Sequence, residues 1–536
     1  MSYLETKTGV FSIAAATVAS AIAFLAYKYP DCGAFDTPHE SIPYRKGVPI
    51  LGNLPRIAAN VDRYHEYVVE VYEELNSLTF RSTQILIPNI INTCDPRNIE
   101  HILKTNFENY EKGEHFSAML HDLLGEGIFN SDGEAWRVQR KVASRIFHVK
   151  NFRDRFTSVF LDEINIASKH IFDQAADSNT VIDFQDIMYR FTIDSFAQLY
   201  YYILRLGFSV QLNSLLGKAD FAQSFDAIQM HAFRRFLVPF VDTIEGIKHY
   251  TNYWGKTKSI KQHLENINTF ANNIIQERKN NTRSQEDPNA DLLDRFLHSK
   301  KLNGSSYSDQ DLRDAILNFM VAGRDTTAVS LSWTFYNVMM HPRVEEKILK
   351  EVRQYITDDI ESDPVGLYEV CKYRSFMTFE DGQVLILVQY RFYEVLRLYP
   401  SVPGNQKGAL ADDIWPDGTH VKKGDQVSWQ SFAEGRMTSI WGEDAKEFKP
   451  ERWIDPADGS LIRVSPFKWS AFNAGPRVCL GQNLAILEAV IAISILIKRY
   501  KFTRAPGHQV VILNLLTIAM KDGMKITVEK RDTILK

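Results

Sequence analysis

Phe472-Asn473-Ala474-Gly475-Pro476-Arg477-Val478-Cys479-Leu480-Gly481 places a cysteine between glycines and a proline. Behind it Leu484, Ile486, Leu487, Val490, Ile491 and Ile493 recur at helical spacing. Glycine and proline bend the backbone, so the cysteine falls in a tight loop at a helix N-terminus. Free amides and the positive end of the helix dipole meet it there, and both favour the thiolate. Arg477, two residues earlier, adds a cation. A thiolate beside an arginine suits an axial haem ligand next to an anionic propionate. The plain alternative for a lone cysteine is a small buried hydrophobe. Cys32, Cys94 and Cys371, none in such a setting, take that reading.

Upstream, Ser308-Asp309-Gln310-Asp311 has the pattern of a capping box. Leu312, Ala315, Ile316, Phe319 and Met320 then carry a helix onward to Met340, where His341-Pro342 stops it. At about 1.5 Å per residue such a helix crosses a whole domain. Its middle, Ala322-Gly323-Arg324-Asp325-Thr326-Thr327, combines a glycine, an acid and two β-branched hydroxyls. Glycine weakens a helix and threonine bonds back to the preceding turn, so a local bulge is expected. A packing glycine is the bland reading; a distorted polar waist in a buried helix points to function.

The whole chain has 536 residues, 45% apolar and 24% charged, which excludes disordered and collagen-like classes. Lys plus Arg number 62 against 66 Asp plus Glu, a net charge of −4 that gives no argument for nucleic acid. Four scattered cysteines exclude a disulfide framework or a four-cysteine zinc site. One stretch, Val10 to Tyr27, is uncharged and long enough to span a bilayer. Glu5 and Lys7 precede it, while Lys28, Arg45 and Lys46 follow, which places the body on the cytosolic side. A cleaved signal peptide is the alternative, since Ala19-Ser20-Ala21 resembles a cleavage site, but the apolar run continues past it. Pro30, Pro38, Pro43, Pro49 and Pro55 then mark a semi-rigid elbow. Thr79, Phe80, Ile85 and Ile87 suggest short strands near Leu78–Asn92 in an otherwise helical body.

Phe-x-x-Gly-x-Arg-x-Cys-x-Gly, from Phe472 to Gly481, resembles the haem-thiolate signature of cytochrome P-450 monooxygenases. Ala322 to Thr327 resembles their oxygen-activating helix motif. Glu394-Val395-Leu396-Arg397 is similar to their Glu-x-x-Arg, and Pro450-Glu451-Arg452-Trp453 to the segment whose arginine joins it. Trp136-x-x-x-Arg140 resembles their propionate contact. Each short motif is weak alone; five in the family's order are not. The resemblance implies a mainly α fold with a small β portion, one cytochrome P-450-type haem domain preceded by a transmembrane helix. It divides the chain into an anchor over 1–29, a proline-rich hinge over 30–57 and a monooxygenase domain over 58–536. It implies haem b on Cys479, with Trp136, Arg140, Arg477, Ala322, Gly323, Phe472, Gly475 and Gly481 around it. Thr326 and Asp325 are the expected catalytic pair, and Glu394, Arg397 and Arg452 the expected structural network. Electrons would come from NADPH through a separate NADPH-cytochrome P-450 reductase, with O₂ as oxidant, at the endoplasmic reticulum membrane with the catalytic domain cytosolic.

Leu124 to Gly133, Ala322 to Ala328 and Trp441 to Ala445 resemble the plant and fungal fatty-acid (omega-)hydroxylase branch. The implied substrate is a lipophilic molecule of the long-chain fatty-acid class. Where an animal branch carries a haem-linking glutamate this chain has Ala322, so no covalent link is implied. Two segments depart from the family, 199–206 and 381–390, both short and apolar as an intron retained in a gene prediction would be. Rival readings are a haem-thiolate isomerase or lyase of lipid hydroperoxides, which commonly lacks the acid–threonine pair, and an inactive haem-binding protein.

Overall fold

The computed structural model describes residues 2–36, 39, 42–85, 87–144, 155–202, 214–216, 220–251, 258–280, 292–301, 303–372, 385–457 and 459–531. Helix dominates, with a small share of sheet. The elements that matter for the site begin with α1 (Ser2–Lys28), α2 (Tyr64–Leu75), β1 (Thr79–Gln84), β2 (Ile87–Thr93) and β3 (Tyr110–Glu111). Then come α3 (Gly133–Ser144), α4 (Phe184–Tyr202), α5 (Asp220–Leu237) and α6 (Ile260–Asn280). The long central helix is α7 (Asp309–Met320) and α8 (Thr326–Met340), joined by a π-turn over Val321–Asp325. Last are α9 (Ile386–Leu398), β4 (Asn405–Ala409), β5 (Gln426–Trp429) and α10 (Gln482–Arg499).

Helix α7 starts where its capping box stands. The Ser308 hydroxyl accepts from the Asp311 amide while the Asp311 carboxylate accepts from the Ser308 amide at 2.7 Å. Two of the orphan donors of the helix start are thereby satisfied. Helix α8 buries residues on all sides from Thr327 to Phe335, and α10 does so from Ile486 to Ile497. Helices apolar all round belong in the interior. Ala328, Val329 and Leu331 of α8, Val388 and Val395 of α9 and the aliphatic residues of α10 form one core. The strands order as β1-β2-β5-β4-β3, with β2 and β5 parallel and every other neighbouring pair antiparallel. The pair expected near Leu78–Asn92 is β1 and β2.

The proline-rich stretch does not stand free as an elbow. Asn53 donates its amide to the Thr83 carbonyl at 2.8 Å, and Arg81 donates to the Pro43 carbonyl at 2.9 Å, so the stretch folds onto β1. Unpaired edge donors of a strand supply the reason. The spanning helix expected from the sequence is not shown: among the described residues no helix is long and apolar enough to cross a membrane. Helix α1 has 27 residues, and Ile13, Val18, Ile22, Phe24 and Tyr27 along it are exposed.

Of the two departing segments, 203–206 and 381–384 lie outside the described residues. The rest of 381–390 packs well. Leu385, Val388 and Tyr390 enter the main core. The Leu387 and Val388 amides donate to the two Glu351 carboxylate oxygens at 2.8 and 3.0 Å, which caps the start of α9. An apolar run foreign to the family's pattern has become the first turn of a buried helix.

Candidate functional site

The cysteine loop is built from two 3₁₀ turns, Ser470–Phe472 and Gly475–Arg477. The Cys479 amide donates to the Phe472 carbonyl at 2.9 Å and closes the loop. Gly475 sits at φ +63°, and a Cβ there would lie 2.0 Å from the Leu103 carbonyl oxygen. Only glycine permits that approach. Gly481 is the N-cap of α10, and its amide points a hydrogen bond at the Cys479 thiol. Cys479 is exposed, whereas Cys94 and Cys371 are buried.

The charge at the sulfur differs from the sequence expectation. The protein packed behind it pushes the thiol pKa up, and the Gly481 amide and the Arg140 guanidinium only partly offset this. Arg477 does not serve the sulfur. It donates to the Ser131 carbonyl at 2.8 Å and to Asp132 at 2.7 Å, with its guanidinium 4.4 Å from the Trp136 ring. Arg140 donates to the Val478 carbonyl at 2.7 Å, beside the cysteine.

Two residues that the sequence reading missed complete this corner. Lys407 on β4 is 1% exposed, donates to the Tyr110 carbonyl at 2.7 Å, and its ammonium lies 4.2 Å from the Phe107 ring. Lys112 is 9% exposed, with its ammonium 4.0 Å from the Phe116 ring. Burial first, then repulsion from Arg477, pushes Lys112 down to about 7 and Lys407 to about 6. Among the described residues Asp132 is the one carboxylate that pairs with any of Lys112, Arg140, Lys407 and Arg477. So much buried positive charge needs an anion. An exposed cysteine bordered by two arginines, by two buried lysines that an anion would hold charged, and by the Trp136 ring fits a flat iron porphyrin with two carboxylates. Cys479 would hold the iron, and Arg140, Arg477, Lys112 and Lys407 the propionates.

On the other side lies the π-turn. The Arg324 carbonyl accepts from Thr192 of α4 at 2.8 Å, and the Thr326 hydroxyl donates to the Ala322 carbonyl at 2.7 Å. Val321, Ala322, Gly323 and Thr326 are half-buried while their helical neighbours are buried, so the bulge presents an open face. Gly323 itself makes room for α4, since a Cβ there would strike the Phe196 ring at 2.3 Å. Asp325 is 1% exposed and takes hydrogen bonds from Arg324 at 2.7 Å and Gln229 at 3.0 Å. Arg324 also reaches Asp226 at 2.8 Å, whose carboxylate is half exposed. Burial pushes Asp325 up to about 7 against the pull of Arg324. A carboxyl raised in this way is suited to give and regain a proton.

These parts share one interior. Leu480, next to Cys479, and Val321 of the π-turn pack on the same cluster as Trp136, Phe319 and Met320. Behind the loop, Glu394 accepts from Arg397 through both oxygens at 2.8 Å, from Arg452 at 3.0 Å and from the Trp453 indole at 2.9 Å. Arg397 donates further to the carbonyls of Gly435, Ala445 and Glu447. A fully bonded buried ion cluster of this kind fixes the loops it touches.

The Cytochrome P-450 family model matches residues 42–524. The chain belongs to the cytochrome P-450 family. It is therefore an enzyme of the monooxygenase class, and the family carries haem on a cysteine thiolate and receives electrons from a redox partner. The chain is 35% identical to cytochrome P-450 704B1 of Arabidopsis thaliana, over 90% of this chain and 94% of that one. With cytochrome P-450 704C1 of Pinus taeda it shares 36%, over 91% and 93%. A fungal relative, cytochrome P-450 monooxygenase cyp1 of Mycosarcoma maydis, is 35% identical over 87% of this chain and 70% of its own length.

Proposed function

We propose that this cytochrome P-450 inserts one oxygen atom of O₂ into a C–H bond of a lipophilic substrate of the long-chain fatty-acid class. The observation that carries the reading is the π-turn, where a half-buried hydroxyl on Thr326 stands next to a buried acid on Asp325 held by Arg324 and Gln229. When bound, an iron porphyrin held by the Cys479 sulfur would supply the oxidising chemistry. The chain's own residues do the rest. Cys479 supplies the sulfur. Lys112, Arg140, Lys407 and Arg477 neutralise the propionates. The Thr326 hydroxyl, now hydrogen-bonded to the Ala322 carbonyl, would be the donor at the open face of the π-turn, and Asp325, bonded to Arg324 and Gln229, would be the neighbouring acid that holds and releases a proton.

Electrons come from NADPH through a separate reductase, a reading supported by the family's use of a redox partner. Helix α1, with its exposed apolar residues, anchors the protein to the endoplasmic reticulum membrane with the catalytic body in the cytosol. Fatty-acid preference is supported by the resemblance of the segments around Leu124–Gly133 and Trp441–Ala445 to that hydroxylase branch.

The test is Thr326→Ala in the reconstituted enzyme, with a panel of fatty acids. Haem binding should stay intact while NADPH consumption is diverted from product into peroxide. A fully coupled variant would remove Thr326 from the relay. Hydroxylated products from another lipid, with none from fatty acids, would overturn the substrate class alone.

A further inference from the structure

Glu434 follows β5 in the short helix Ser431–Glu434 and is 2% exposed. Its Oε2 accepts from the Ser470 hydroxyl at 2.5 Å and from the Ser470 amide at 3.4 Å, and Ser470 shares a 2.7 Å hydrogen bond with Ser431. Its Oε1 is buried without a partner. Beside it is a recess of about 170 Å³, also lined by Arg397, Lys468, Trp469 and Ser470.

No cation answers this carboxyl among the described residues. Arg397 faces the recess from α9, but its donors are taken by Glu394 and three carbonyls. Lys468 holds its ammonium 4.7 Å from the Trp441 ring instead. From α2 and the end of β2, Tyr72 and Cys94 face the acid, both neutral. An unpaired carboxyl in such surroundings is stable as the neutral acid and costly as the anion. Burial accordingly raises it to about 8, with Ser470 pulling the other way.

The position of this acid gives it a consequence. Ser470 opens the 3₁₀ turn that leads into the cysteine loop, the Asn473 amide donates back to the Ser470 carbonyl at 2.9 Å, and Phe472 in the same turn takes the Cys479 amide. A buried charge on Glu434 is therefore hydrogen-bonded to the first residue of the turn whose last residue, Phe472, holds the Cys479 amide. Adding an electron to iron makes that interior more negative, and a proton on Glu434 offsets it.

Building on the haem-thiolate reading above, we propose that Glu434 is a positioning residue that couples reduction of the iron to uptake of one proton. A one-electron donor, the redox partner, reduces ferric iron to ferrous, and the Glu434 carboxylate takes a proton from solvent to become the carboxylic acid. By linkage the effect is reciprocal: protonated Glu434 eases reduction, so the potential falls as pH rises through the range where Glu434 ionises.

The midpoint potential of the haem-loaded protein, followed by spectroelectrochemistry from pH 6 to 9, tests this. The wild type should show a potential that declines with pH and breaks where Glu434 titrates, and Glu434→Gln should be flat across that range with its thiolate spectrum unchanged. Ser470→Ala removes the donor that favours the anion, so its break should move to higher pH. Equal slopes in wild type and Glu434→Gln would overturn the coupling. Should Glu434→Gln fail to retain haem, an unmoved break in Ser470→Ala overturns it equally. Absence of any thiolate spectrum in the wild type would instead sink the haem-thiolate reading itself.

Discussion

At Cys479 the chain offers an exposed sulfur whose thiol pKa is held up by the protein behind it. A metal bound at the sulfur would displace the proton, which ties the charge to the presence of iron. Cys479→Ala should abolish the thiolate signature in the spectrum of the reduced, carbon-monoxide-bound protein; retention of that signature would move the ligand elsewhere. Lys407 is the converse case, a buried amine pushed down to about 6 that an adjacent anion would hold in its charged form. Lys407→Met removes the cation but keeps the bulk, so haem should leave several-fold faster on transfer to an acceptor protein, with little change in the spectrum. An unchanged loss rate would show that Lys407 does not hold a propionate. Cys479 was legible because glycines and a proline mark a loop around a reactive side chain. Lys112 and Lys407 were not, because an isolated lysine in sequence reads as solvated, and only tertiary contacts bury it.

The central helix shows how far local chemistry reaches. Its capping box sits at Ser308 and Asp311 because both interactions lie within one turn. Ser308→Ala should lower stability by about 1 kcal/mol in denaturant melts without altering the haem spectrum. A loss no larger than that of an exposed control serine would show the cap to be dispensable. The distortion at Ala322 to Asp325 was also legible, as a glycine and hydroxyls in a poor helix interior. Its form was not: a π-turn needs a partner for the freed backbone, and Thr192 of α4, 132 residues away, provides it. Similarly, the first turn of α9 is made from a run foreign to the family, and Glu351 and the core hold it in place.

Across the whole molecule, α1 and the proline-rich stretch divide their roles. The stretch is stitched to β1 by backbone hydrogen bonds, whereas α1 exposes Ile13, Val18, Ile22, Phe24 and Tyr27. An exposed apolar helix of that kind is stable where lipid covers it. Removing residues 1–28 should shift the protein from the carbonate-resistant microsomal pellet toward the soluble fraction while the haem spectrum persists. If the full chain is itself extracted by carbonate, α1 is no anchor. On the proposed topology the N-glycosylation pattern Asn303-Gly304-Ser305 should stay unmodified, and a glycosidase-induced mobility shift would overturn that orientation.

The sequence by itself determined the family and marked the Cys479 loop, the Asp325–Thr326 pair and the Glu394–Arg397 pair, since each rests on residue types at short spacings that one turn or loop brings together. The tertiary structure alone decided which cation serves which group. It turned Arg477 toward Asp132 and Arg140 toward the sulfur, buried Lys112 and Lys407 beside them, joined Asp325 through Arg324 to Asp226, and left Glu434 without a counter-charge. Charges act through space over a few ångströms and are strengthened by burial, and neither quantity is written in the order of the residues.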